Sequence, residues 1–191
     1  MLDNYSGFEG EAALRDGRRV QIRKIGATDG QLIRNFHESL SAESWYLWRA
    51  HLNTDEVIDK HISRFLSGED WGYLALADGK AVSYFFFWNA RERVPLLGIC
   101  IADDHQNCGL GSALLDILIE DAKTLGKDGI ELTTMTDNDR AFHLYLGKGF
   151  VYTGDVNTVA GTGEVVVERR MVLPMVEGDI RTAGNDLSQQ E

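Results

Sequence analysis

Between residues 18 and 25 the chain alternates, with Val20, Ile22 and Lys24 on one side and Gln21, Arg23 and Ile25 on the other, the two-residue period of a strand. Behind Thr28 and Asp29, which can cap a helix, Leu32, Ile33, Phe36 and Leu40 recur at helical spacing over 31–40. Val57, Ile58, His61, Ile62 and Phe65 keep the same period behind Thr54 and Asp55. Two strand-like runs, 71–77 and 80–89, flank Asp78-Gly79, a strong hairpin-turn signal. Residues 94–102 read as a buried strand. Leu110, Leu114, Ile117, Leu118, Ala122 and Leu125 then form the apolar stripe of a helix over 109–125, and Gly126 suits its end. A strand over 129–134, a short helix over 138–146 and strands over 150–156 and 164–173 complete the pattern. The predicted order is strand, two helices, three strands, helix, strand, helix, two strands. It occupies 18–174, between a polar, flexible N-terminal arm (1–17) and a polar, acidic C-terminal tail (175–191).

Composition narrows the function classes. A chain of 191 residues can bury one sizeable core. Its net charge of -11 repels phosphate backbones, which argues against nucleic acid and tilts weakly toward a cationic substrate. Cys100 and Cys108 form neither a disulfide framework nor a metal-ligand spacing, so no metal is expected. No apolar run approaches the ~18 residues of a membrane span, and the N-terminus lacks a signal-peptide pattern. The expectation is a cytoplasmic monomer or homodimer with no membrane or nucleic-acid partner.

The chemistry concentrates in two segments. In the first, residues 99–112 (ICIADDHQNCGLGS), a strand leads through a polar loop and two glycines into an apolar helix. A helix start presents unpaired N–H groups and partial positive charge, and glycines let an anion approach that backbone. This points to a pyrophosphate site. A P-loop is excluded because no lysine follows the glycines. A dinucleotide fingerprint fits poorly, with Leu114 at its third glycine position although Glu131 lies about 20 residues beyond the loop. Taken alone, the glycines could equally form a tight turn. In the second segment, Asn138 can cap a helix, and Tyr145 lies two turns further along the same face.

Together the segments resemble the two signature motifs of the GNAT N-acetyltransferase superfamily. The first family motif is Arg or Gln, two free positions, Gly, one free position, then Gly or Ala; here it reads Gln106-Asn107-Cys108-Gly109-Leu110-Gly111. The second places Asn, Ala and Tyr before Gly-Phe, here Asn138, Ala141, Tyr145, Gly149 and Phe150. The resemblance is firm over about 95–156 and looser over 18–174. It implies a mixed α/β (α+β) fold: a mostly antiparallel sheet of six to seven strands, helices on both faces, and a splayed central strand pair that admits acetyl-CoA. By the same resemblance, Ile99, Cys100 and Ile101 would bond the pantetheine arm, and Gln106, Asn107, Cys108, Gly109, Leu110, Gly111 and Ser112 would form the pyrophosphate loop. Asn138 would contact the cofactor arm, and Tyr145 would be the general acid beside its sulfur. A backbone N–H near Ile101 would serve the developing oxyanion. The implied activity is acetyl transfer from acetyl-CoA, as co-substrate, to a primary amine in a ternary complex. A non-catalytic CoA-binding regulatory module is the alternative.

One departure concerns the base. Many family members carry a glutamate on the strand before the first motif, whereas residues 94–101 hold no acidic residue. Glu92, Asp103, Asp104, His105, Glu43 and His143 are the nearby options, and a water-mediated base is a further one. Trp45, Tyr46 and Trp48 fall where the family has its variable substrate-covering helices.

Overall fold

Asp78 and Gly79 both take positive φ, 49° and 75°, the combination a two-residue hairpin turn needs. A computed structural model describes residues 5–176, and there this turn joins the third and fourth of eight strands. Along the chain run β1 (Gly10–Ala13), β2 (Arg19–Lys24), α1 (Gly30–Glu38), α2 (Ala42–Trp48), α3 (Asp55–Ser67), β3 (Trp71–Ala77), β4 (Lys80–Trp88), β5 (Leu96–Ile101), α4 (Leu110–Thr124), β6 (Gly129–Met135), α5 (Asp139–Gly147), β7 (Val151–Val159) and β8 (Val165–Pro174). The sheet order is β1-β2-β3-β4-β5-β6-β8-β7, antiparallel everywhere except between β5 and β6. This is the mixed, mostly antiparallel architecture expected, with eight strands against the six to seven the resemblance implies.

The additional strand, β1, lies inside the segment expected as an arm. That segment is tied down: Tyr5 stacks on Trp71 at 5.6 Å, and its hydroxyl donates to Asp121 Oδ1 at 2.6 Å. Trp71 Nε1 and the Tyr73 hydroxyl donate to the other Asp121 oxygen, so a buried carboxylate on α4 is fully hydrogen-bonded. The part of the expected tail from residue 177 onward lies outside the described residues.

Helix α2 adds a third helix where the hydrophobic pattern shows two. Ser41 starts it, accepting from Ser44 N at 3.1 Å, and Arg49 ends it in the left-handed region. Of the two residues expected as possible caps of α3, Thr54 caps it and Asp55 is its first helical residue. Asp29 sits at the α1 N-cap but does not cap it; its carboxylate is held by Arg23 at 2.6 and 2.8 Å and by Gly26 N. The charged, bidentate partner outcompetes a single backbone amide.

Strand alternation on β4 divides the core. Tyr84, Phe86 and Trp88 face the α1–α3 layer, where they meet His37, Trp48 and His61. Phe85 points the other way and stacks on Tyr73 beneath α4. Helices therefore cover both faces. Among the described residues no helix is long and apolar enough to cross a membrane.

Candidate active site

Strands β5 and β6 meet at one point. Leu96 pairs with Glu131, and Glu131 N donates to Pro95 O at 3.0 Å; beyond that the pairing stops. On its other side β5 stays paired with β4 to Ile101. In an antiparallel ladder the backbone groups of successive residues point to opposite sides. Ala102 N donates to Val82 O on the β4 side, so Ile99 and Ile101 present their backbone groups to the gap. A splayed pair is thus present, and beyond Leu96 β5 has no strand partner on that side. Gln106 Nε2 donates to Ile101 O and to Ser44 Oγ, both at 3.0 Å, joining strand, loop and α2.

The gap opens into a cleft of about 310 Å³. Ile99, Cys100, Ile101, Gln106, Asn107, Gly109, Gly111, Ser112, Asn138 and Tyr145 all line it. Cys108 and Leu110 do not: the Cys108 thiol donates to His105 O at 2.9 Å, and Leu110 is packed in the core. Asn107 and Gly109 take positive φ, 60° and 91°, which turns the loop into the start of α4. No side chain caps α4, and its first turn holds no acid. The first bond into the helix is Ala113 N to Gly109 O, so the amides before it have no helical partner, and Gly109, Gly111 and Ser112 line the cleft. A Cβ at Gly111 would stand 3.2 Å from both Ile101 Cδ1 and Leu144 Cδ2, so glycine keeps the cleft open between β5 and α5. Arg15 and Arg140 line the cleft, and among the described residues no carboxylate does. The cleft suits an elongated, anionic molecule.

Asn138 caps α5, its side chain accepting from Ala141 N at 3.2 Å. Two turns on, Tyr145 is 6% exposed. Burial, followed by the nearby Cys100 thiol, pushes its phenol well above the ordinary value, so it is a proton donor at neutral pH. Burial likewise raises the Cys100 thiol, which stays protonated. Tyr145 also borders a second cavity of about 150 Å³ on the far side of the gap. Leu47, Trp48, Ile99, Asn138, Ala141 and Tyr145 border both, so the two cavities meet at Tyr145.

The candidate bases fall outside these cavities. Asp103 is tied by Ser41 N, Ser41 Oγ and Ser44 Oγ at 2.7–2.9 Å. Partial desolvation works against these bonds, but they hold its carboxyl below the usual range. His105 is buried against Asp104 at 2.6 Å, and His143 is exposed with Nδ1 2.7 Å from Asp139 O. Glu43 and Glu92 are exposed and line neither cavity. The sequence pattern does not single out Arg15, Arg140 or Glu168. Arg15 reaches the cleft because its N–H donates to Cys108 O, pinning the N-terminal segment to the loop. Glu168 reaches the second cavity from β8. Of the three, only Arg140 had a readable signal, its place inside the second motif.

A family model described as Acetyltransferase (GNAT) family matches residues 35–150. Three solved structures illustrate the likeness. An acetyltransferase of the GNAT family from Streptococcus pneumoniae is 25% identical, with TM-score 0.66, covering 82% of this chain and 99% of that one. A putative acetyltransferase from Salmonella typhimurium, solved with its cofactor acetyl-CoA, is 20% identical with TM-score 0.66, covering 86% and 98%. Spermidine N-acetyltransferase from Vibrio cholerae, in complex with CoA and spermine, is 18% identical with TM-score 0.67, covering 81% and 95%.

Proposed function

The chain belongs to the GNAT acetyltransferase family, and from that premise we propose that it transfers the acetyl group of acetyl-CoA to a primary amine by direct attack in a ternary complex. One observation carries the reading: the β5–β6 gap joins a cleft suited to an anion and a second cavity, and Tyr145 stands where they meet.

Acetyl-CoA would supply the activated acyl group. The residues that fit it are those along the gap. The α4 amides near Gly109, Gly111 and Ser112 would take the pyrophosphate, with Arg15 and Arg140 adding positive charge. The backbone groups of Ile99, on the edge facing the gap, would hold the amide-bearing arm as an added strand. The Ile101 N–H would then face the carbonyl oxygen where negative charge develops, a donor worth roughly 3–4 kcal/mol. Tyr145, protonated and buried, would deliver its proton to the departing sulfur. Among the described residues no carboxylate lines the cleft to repel the phosphates.

The test is product formation: the chain is incubated with acetyl-CoA and a panel of primary amines, and acetylated amine is sought by mass spectrometry alongside free thiol. Stoichiometric thiol and acetylamine are expected. Saturable acetyl-CoA binding with no acetylated product from any amine would favour a non-catalytic CoA-binding module instead.

A further inference from the structure

Among the described residues a single carboxylate lines either cavity along the gap: Glu168, in the second one. It sits on β8, opposite Met135 of β6 and Val156 of β7, and is half-buried. One of its oxygens accepts the Thr158 hydroxyl at 2.6 Å. Among the described residues no lysine or arginine pairs with it. The nearby cations are engaged elsewhere. Arg169 pairs with Asp139 at 2.8 Å, and Arg170 clamps Glu131 with two bonds at 2.7 and 2.9 Å. Arg49, which shares the cavity wall, pairs with Glu164 at 2.8 Å and lies over the Tyr46 ring.

A partly desolvated carboxylate with one neutral donor lacks a counter-charge. The rest of the wall suits a cation with a short apolar body. Trp48 and Trp88 supply indole rings, and Thr133 and Thr134 supply hydroxyl-bearing side chains. Trp88 is braced by stacking on His61 at 5.7 Å, which fixes its ring.

We propose that Glu168 is the acceptor-recognition residue, selecting amines that enter as ammonium ions and directing them past Trp48 toward Tyr145. This assignment rests on the acetyl-transfer reading of the cleft. It goes beyond that reading in naming the substrate class, a cationic primary alkylamine, and the residue that selects it. Glu168 holds the charge by ion pairing; the reacting nitrogen releases its ammonium proton to solvent before it attacks, and no covalent step passes through Glu168.

The experiment compares wild type with Glu168→Gln, which keeps the shape and the contact with Thr158 but removes the charge. Binding is measured first, by calorimetry on the CoA-saturated protein, with n-butylamine and 1,4-diaminobutane as cationic probes. O-methylhydroxylamine, uncharged at neutral pH, is the comparison. Turnover with acetyl-CoA is measured on the same set. The proposal expects Glu168→Gln to weaken cationic probes about 10- to 100-fold, seen in Kd and KM rather than kcat. The neutral probe and CoA itself should change by less than about threefold, a factor worth under 1 kcal/mol. Equal losses for charged and neutral probes would mark Glu168 as structural and overturn the proposal. So would unchanged cationic binding, or no cationic binding to wild type. Selective loss of cationic binding in a chain without turnover would support Glu168 while refuting acetyl transfer, so the two readings fail separately.

Discussion

Tyr145 is protonated for a structural reason: its phenol is buried at the junction of two cavities, and an ionised oxygen there would lack solvation. Removing only the hydroxyl therefore removes the proposed proton donor with little change in packing. Tyr145→Phe should lower kcat by about 10²–10⁴-fold while acetyl-CoA affinity stays within about threefold, read by steady-state kinetics and calorimetry. Activity equal to wild type would exclude the role. Tyr145 and Asn138 were legible in the sequence because both sit on one short helix, where spacing alone places them on one face. Glu168 was not. It lies on a strand whose neighbours Val166 and Arg170 share its face, and only the pairing of β8 with β6 brings that face to a cavity.

Among the elements, the β5–α4 connection sets the width of the cleft. Gly111 lies 3.2 Å, measured from a hypothetical Cβ, from side chains of both β5 and α5. Those side chains are flexible at their ends, so a larger residue would be tolerated by the fold and would project into the cleft. Gly111→Val should weaken acetyl-CoA binding by tenfold or more, about 1.4 kcal/mol, with the melting temperature changed by only a few degrees. Unchanged affinity would remove the loop from the site. The glycines of this loop carried a readable signal because two of them precede an apolar helical stripe. Helix α2 carried none of that kind. Trp45, Tyr46, Leu47 and Trp48 are consecutive, so they show no helical period, and the helix is recognised by its Ser41 cap and its packing.

Across the whole molecule, the buried side-chain atoms without a hydrogen-bond partner among the described residues gather in one place. They belong to His37, Trp48, His51, His61, Tyr84 and Trp88, between β4 and the α1–α3 layer. His37 and His51 lie 5.0 Å apart by ring centroid, and His51 and His61 4.5 Å. Burial first, and mutual repulsion second for His37 and His61, lowers their values to about 3 for His37, about 4 for His51 and about 3 for His61. The unfolded chain takes up protons below the ordinary value of 6.5, while the folded chain refuses them until far lower pH. Stability is therefore full above about pH 6.5 and falls as the pH drops toward the folded values, by about 1.4 kcal/mol per pH unit for each histidine. The melting temperature should be flat from about pH 8 to 7 and drop steeply between about pH 6 and 5. A flat profile through pH 5 would show that these rings are not buried neutral. The sequence offered His61 only as one position in a helical stripe, since the cluster forms from three separate segments. The splay between β5 and β6 was likewise accessible only by resemblance, because it consists of pairing that is absent after Leu96.

Acetyl-CoA binding is the step on which every later one depends, and titration calorimetry on wild-type protein measures it most directly. One molecule should bind per chain, saturably, with affinity that falls as salt screens the phosphates from Arg15, Arg140 and the start of α4. A titration showing no heat of binding and no competition by CoA would contradict the account at its centre.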